Sequence, residues 1–464
     1  MKYRLDSLEI PSENPYLHDA LERKEVVDFL AGLIDRTPGP FVLALDSPWG
    51  SGKTTLVQFL QAELQKQDFQ CVYFNAWQVD YVTDPLVALV SSIDRVDLVA
   101  GEPASSFKKH LKTVRKVTSL VAKRSVVVAT KALTAGLLDL DDEIEIAVSA
   151  LASETAGDLV ELFQKERELL DKFRIELRAA IDQLPKAGKK ATLVFFIDEL
   201  DRCRPTFAIE LLERVKHLFD VPNIVFVLSI DKSQLEASTA AVYGDGINAA
   251  EYLRRFIDLE FGIPRAKTEA FVEALMIRFE LDQAFASRKG VLSYDQGSFV
   301  TTFVSLANVY DLSLRAIERC MTRLCIVLDQ TPDNHYLDPE LVALLVILRV
   351  KDPVLFASLQ NGHASPIDIM NRLSDLPGGE ALVESQEGIF LEAFLIEADE
   401  DDRRRAARNG ELKKLVEAAD TPTVLRNRAS SLIEALRSNF NPMRKRLRLS
   451  DSAAKVDMTA RLRD

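Results

Sequence analysis

Lys53 and Thr54 stand directly after two closely spaced glycines, Gly50 and Gly52, in the segment FVLALDSPWGSGKTTL at residues 41–56. An apolar run enters a glycine-bearing turn. A helix-patterned segment leaves it, with Leu56, Phe59, Leu60 and Leu64 on one face. Backbone N–H groups in such a loop turn inward, and the positive end of the following helix dipole points at the same spot, so the loop suits phosphate oxygens. The candidate contacts are Ser47, Trp49, Gly50, Ser51, Gly52, Lys53, Thr54 and Thr55. In this pattern Lys53 reaches the β- and γ-phosphates of a nucleoside triphosphate, and the Thr54 hydroxyl binds the Mg²⁺ that bridges them. Ser47 stands where the pattern has its first glycine, and a tight turn with an incidental lysine is the competing reading.

A second chemical constellation lies at residues 193–205, LVFFIDELDRCRP, an apolar strand ending in adjacent carboxylates, Asp198 and Glu199. A parallel strand beside a phosphate loop delivers such side chains at its carboxyl end, where open α/β sheets bind ligands. Asp198 would then hold Mg²⁺ through water, and Glu199 would polarise the attacking water. Two solvated acids at a strand end are the alternative. Residues 223–231, NIVFVLSID, end in Ser229 and Asp231, candidates to sense the γ-phosphate or orient water. Arg254 and Arg255 precede a last apolar strand within residues 252–264, from where an arginine can reach a neighbouring subunit's nucleotide. Arg315 and Arg319 share a helical face and could fold over the nucleotide as lid arginines. Surface salt bridges and a solvated helix face compete for these four arginines.

Five apolar strands with intervening helical patterns must position these groups, which predicts a five-stranded parallel α/β sheet flanked by helices. The predicted core occupies residues 1–270, with a helical insertion at about 95–190, and a helical lid or effector-coupling domain occupies 271–464. A short helix within residues 19–34 is expected beside the first strand. In the second domain, residues 270–279, 299–306, 312–328 and 339–348 read as core helices, with Asp338 before Pro339 as an N-cap. Both tryptophans, Trp49 and Trp77, fall at strand ends, where core packing with an indole N–H partner is favoured over nucleotide contact.

The insertion is locally basic. Lys108, Lys109, Lys112, Arg115, Lys116, Lys123, Arg124 and Lys131 occur with no acid between Phe107 and Leu138, and Asp139, Asp141, Asp142, Glu143 and Glu145 follow. The apolar run at 125–138, broken by Lys131, is short of the roughly 20 residues a spanning helix needs. A solvated basic face is the favoured reading, and contact with an anionic membrane surface or an acidic partner stays open. Residues 397–408, EADEDDRRRAAR, are expected to be exposed, and the basic residues Arg444, Lys445, Arg446 and Arg448 are weak evidence of a partner contact.

The chain's 464 residues, 47% hydrophobic and 28% charged, suit a globular protein with a sizeable core. A net charge of −13 and a pI near 5.1 argue against broad nucleic-acid binding. Cys71, Cys203, Cys320 and Cys325 lack zinc-site spacing and read as reduced, mostly buried thiols of a cytosolic protein. The N-terminus has no apolar stretch of the kind a secretory signal carries.

The order Trp49-Gly50-Ser51-Gly52-Lys53-Thr54, FNAW, IDELDRCRP, a strand ending in Asp231, then YLRRF and FGIP, resembles the KAP family of P-loop NTPases over roughly residues 15–350. The resemblance implies the additional-strand class, in which the fourth strand lies between the P-loop strand and the Mg²⁺-aspartate strand. It also implies ATP hydrolysis with Asp198 and Glu199 in the roles above. Many bacterial members resemble components of anti-phage or plasmid-linked systems, and many carry two membrane helices in this insertion. The present insertion lacks that hydrophobic length, so membrane spanning is not carried over. Three functions follow as expectations: an ATPase driving conformational change in an oligomer or a partner effector, a slow ATP-gated switch or scaffold, and, less supported, a P-loop kinase.

Overall fold

Five apolar runs form five strands: β1 Phe41–Asp46, β2 Gln70–Asn75, β3 Leu193–Asp198, β4 Ile224–Ile230 and β5 Leu259–Gly262. They pair in parallel in the order β2-β3-β4-β1-β5, so β4 separates β1 from β3. This computed structural model describes residues 1–6, 10–11, 13–96, 98, 100–131, 157–287, 295–332, 338–438 and 448–458. The chain divides into two units, Glu9–Pro264 and, separately, Met1–Leu8 with Arg265–Asp464.

In the first unit the helices are α1 Lys24–Asp35, α2 Lys53–Lys66, α3 Pro85–Ser92, α4 Glu102–Lys131, α5 Gly157–Ile181, α6 Pro205–Leu218, α7 Lys232–Tyr243 and α8 Ala249–Leu253. Every residue of β3 and β4 is buried, as a parallel sheet covered on both faces requires. Alternation sorts the two faces. Val42, Ala44, Val72, Phe74, Phe195, Ile197, Phe226 and Leu228 join one core with α3 to α6. Leu43, Leu45, Val194, Phe196, Val225 and Val227 have the opposite parity and are buried too, on the side where α2 lies against β2, β3 and β4.

The fifth strand falls within residues 252–264 and after Arg254 and Arg255, as expected. Only Leu259–Gly262 pairs, with β1 as its single neighbour, while Leu253, Phe256 and Ile257 just before it turn into the core instead. The described parts of the insertion are helical, as expected. Phe107, Leu111 and Val114 of α4 and Phe173, Leu177 and Ile181 of α5 extend the sheet core, and His110 Nδ1 meets Glu176 Oε2 at 2.7 Å. Lys108, Lys109, Lys112, Arg115 and Lys116 are exposed on α4, and Arg115 pairs with Asp94. The acidic residues Asp139, Asp141, Asp142, Glu143 and Glu145, the end of the apolar run, and the side chains of Lys123, Arg124 and Lys131 lie outside the described residues. Among the described residues no helix is long and apolar enough to cross a membrane.

The regular elements described in the second unit are all helices: α9 Thr268–Arg278, α10 Leu281–Ser287, α11 Asp295–Val309, α12 Leu314–Asp329, α13 Pro339–Lys351, α14 Pro353–Gln360, α15 Pro366–Ser374, α16 Gly379–Glu384, α17 Gln386–Ala398, α18 Asp402–Glu417, α19 Thr423–Ser438 and α20 Leu449–Val456. From Pro339 to Leu348 α13 is buried on every side, which makes it the central helix, and Asp338 occupies its N-cap position.

The charged segment at 397–408 corrects the expectation of full exposure. Asp399 is 3% exposed and is gripped by Arg404 at 2.7 and 3.0 Å, while Arg408 reaches the buried Glu392 at 2.7 Å beside Arg428. A buried carboxylate is held charged only when cations are paired to it, and this arginine-rich stretch supplies them. Arg444, Lys445 and Arg446 lie outside the described residues. The four cysteines are free thiols, three of them buried, and burial pushes Cys71, Cys203 and Cys320 up to about 12 and Cys325 to about 11.

Candidate nucleotide-binding site

The loop between β1 and α2 takes the shape its glycines allow. Gly50 and Gly52 have φ of 81° and 87°, a left-handed conformation that glycine adopts without strain. Gly52 is the N-cap of α2 and no side chain caps that end, so the first-turn N–H groups face the loop. Ser47 is not among the residues with positive φ, and its N–H donates to the Ile230 carbonyl at 3.2 Å. A serine therefore meets the backbone requirement at the position where the motif has glycine. The Lys53 ammonium donates to the Ser47 carbonyl and, at 3.2 Å, to that of Pro48.

Trp49 ties the loop to two other strand ends. Its N–H donates to Asp231 Oδ2 at 3.2 Å, and its indole N–H donates to the Asp201 carboxylate. With Trp49 45% and Trp77 51% exposed, neither is a core residue, which corrects the expectation of core packing. Each follows a strand's end, where apolar covering stops. The expected indole N–H partner is present for Trp49.

The carboxylates gather from β3, β4 and β1. Asp198, 1% exposed, accepts from the Tyr73 hydroxyl and from the Glu199 N–H, each at 2.9 Å. Burial and Asp198 raise the Tyr73 pKa, which keeps the phenol a donor. Glu199 has φ of 59°, and both carboxylate oxygens are engaged, Oε2 by Asn75 Nδ2 at 2.9 Å and Oε1 by Arg202 Nη1 at 2.7 Å. Asp231 Oδ1 accepts from Ser233 at 2.7 Å, and Asp46 Oδ1 accepts from the N–H of Lys232 at 2.9 Å. Ser229 is level with Asp198 in the β3–β4 register and with Leu45 in the β1–β4 register, and its buried Oγ has no hydrogen-bond partner.

Lys53 is the cation that Asp201, Asp231, Asp46 and Asp198 face. Burial lowers its pKa, and the carboxylates of Asp201, Asp231, Asp46 and Asp198 oppose that shift. Burial raises the pKa of Asp201, opposed by the Trp49 indole and Lys53. The Thr54 hydroxyl at the start of α2 and the Asp198 carboxylate at the end of β3 are oxygen donors of the kind that would hold Mg²⁺. No group of three His, Cys, Asp or Glu ligands suited to a metal occurs among the described residues. Nucleotide-site Mg²⁺ takes one or two protein ligands and completes its shell with phosphate and water.

Three residues that sequence reasoning passed over take part. Asn75 and Tyr73 reach Glu199 and Asp198 because β2 pairs with β3, Asn75 level with Asp198. Arg23, 4% exposed, donates to the Pro264 carbonyl at 2.6 Å and to that of Ser51 at 3.5 Å, bracing the loop from behind. Alternation in QCVYFN would have placed Tyr73 and Asn75 on one face, but not against which strand.

The remaining arginines stand apart. Asp258 exchanges hydrogen bonds with Val42 at the start of β1, 2.9 Å to its carbonyl and 2.8 Å from its N–H. The phosphate loop follows the other end of that strand. Arg254 and Arg255, just before Asp258, are thus carried toward the opposite end of the sheet, about 15–20 Å away at the usual rise per strand residue. Both are exposed, Arg254 pairing with Glu251 at 2.6 Å and Arg255 lying over the Tyr252 ring. Arg315 and Arg319 belong to the other unit, on the exposed face of α12.

A parallel sheet with one strand inserted between the loop strand and the acidic strand, a left-handed glycine turn and a lysine at the helix start define an additional-strand P-loop NTPase, a nucleotide-binding fold. The KAP family P-loop domain matches residues 23–329, and the chain belongs to that family. Over 335 residues it is 25% identical to the Phage T7 exclusion protein of Escherichia coli (strain K12), an alignment covering 68% of this chain and 42% of that protein. The chain therefore spans less than half the length of this relative. The solved Aeropyrum pernix ORC2 protein, in ADPNP-ADP complexes, aligns over 93% of this chain and 97% of its own at 15% identity and a TM-score of 0.38.

Proposed function

We propose that this protein binds ATP with Mg²⁺ and hydrolyses it, and that the nucleotide cycle drives a conformational change or assembly. The observation that carries the reading is Asp198 and Glu199 at the end of β3, held two strands away from the Lys53 loop. Lys53 and the first-turn N–H groups of α2 bind and orient the phosphates. Bound Mg²⁺ would supply charge neutralisation between the β- and γ-phosphates. Glu199 accepts the proton of the attacking water, Asn75 aims its carboxylate, and Ser229 and Asp231 line the floor between loop and acids. Phosphate release in Mg²⁺, lost on chelation with EDTA, is the expected result. Release that persists in EDTA would refute the metal assignment.

Arg254 and Arg255 are assigned to act in trans, since their own loop lies toward the far end of the sheet. Substituting either with alanine is expected to lower hydrolysis by at least about tenfold while ATP binding persists, because trans arginines contribute strongly to transition-state charge. Mass in solution should rise with ATP. A monomer with and without ATP, together with full activity in both variants, would remove this role.

The slow, ATP-gated switch is the second reading, favoured by the engagement of both Glu199 oxygens. The helical unit would serve as lid or effector-coupling domain, with Arg315 in the lid. A part in phage exclusion rests on the relative's name, and a cytoplasmic setting rests on the four free, mostly buried cysteines. Reduced phage plating that returns to normal in Lys53→Ala would support that part, and equal plating would count against it.

A further inference from the structure

Glu199 is held by two partners of different kinds. Asn75 is neutral, arrives from the neighbouring strand and donates to Oε2 at 2.9 Å. Arg202 is charged, lies three residues further along the same turn and takes Oε1 at 2.7 Å. A carboxylate that accepts a proton from water must turn a free lone pair toward that water. With a donor on each oxygen, Glu199 is aimed but engaged.

The guanidinium of Arg202 has a second neighbour. It lies 5.6 Å from the centroid of the Trp77 ring, which is 51% exposed. Core packing does not account for so exposed an indole, whereas a flat seat for a guanidinium does. The turn is also built to keep the pair together. Glu199 takes a left-handed backbone conformation, residues Leu200–Arg202 form a single helical turn, and the Cys203 N–H closes it onto the Leu200 carbonyl at 3.2 Å. Glu199 and Arg202 therefore face each other across one turn.

We propose that Arg202 is a latch on Glu199 and that the exposed face of Trp77 is its seat, so that hydrolysis is restrained by the ion pair and rises when the guanidinium is released. This rests on Glu199 being the base. Neither half of the latch is strong on its own, since partly exposed ion pairs and exposed cation–π contacts each contribute modestly. The restraint is accordingly reversible. Asn75 stays on the other oxygen and keeps the carboxylate aimed when Arg202 leaves.

Arg202→Ala is expected to raise kcat for ATP about fivefold, equivalent to ~1 kcal/mol in the barrier, with KM unchanged. Trp77→Leu, which removes the seat and leaves the ion pair, should raise kcat about twofold. Arg202→Lys keeps a cation within reach and should stay within about twofold of the parent. Asn75→Ala should lower kcat. A folding defect would lower activity in all four variants, so a gain in kcat alone is not explained by structural damage. Arg202→Ala turning over no faster than the parent, with ATP still bound, overturns the latch and leaves the nucleotide site standing. Absence of Lys53-dependent ATP binding in the parent overturns both.

Discussion

Lys53→Ala is expected to lower ATP affinity by about 10²–10³-fold and to abolish measurable hydrolysis. Lys53 is the cation facing Asp46, Asp198, Asp201 and Asp231, and its ammonium also ties down the Ser47 and Pro48 carbonyls. Alanine leaves those carboxylates opposing an incoming polyphosphate, and losing one partner of a desolvated charge contact costs about 2–5 kcal/mol. Fluorescence titration with a labelled ATP analogue measures the effect directly. Lys53→Arg is a sharper control, because a planar fork does not replace a compact ammonium held against two loop carbonyls. If Lys53→Ala binds within about threefold of the parent, phosphate does not sit in this loop.

Glu199→Gln should separate binding from chemistry. The amide is isosteric with the carboxylate, can still meet Asn75, and suits the same backbone conformation as Glu199 at φ of 59°. It cannot accept a proton from water. General-base assistance contributes about 10²–10⁴-fold, so single-turnover hydrolysis should fall by that order while ATP affinity holds or tightens. Binding and single-turnover phosphate release measured on the same preparation decide it. Parental turnover in Glu199→Gln would move the base elsewhere.

The chemistry on single strands was legible in the sequence, and the chemistry between strands was not. The loop, Asp198 and Glu199 each sit in one contiguous stretch whose residue types declare a role. The family resemblance added the strand order, which the structure bears out with β4 between β1 and β3. Asn75, Tyr73 and Arg23 act only through register or through a helix that packs behind the loop, and no local pattern encodes either. The tryptophans were misjudged for the opposite reason. Their size argued for burial, whereas their position just past a strand's end decided for exposure. At residues 397–408 a dense run of charge suggested solvent, yet two buried carboxylates, Asp399 and Glu392, drew arginines inward.

The place of β4 also works as a gauge. Neighbouring strands lie about 4.8 Å apart, so inserting one sets β1, which leads into the Lys53 loop, and β3, which ends in Asp198, at roughly 10 Å. With β4 between them, that spacing is fixed by the backbone hydrogen bonds of the ladder. Side chains at the end of β4, Ser229 foremost, can then vary the floor between loop and acids while its span stays constant.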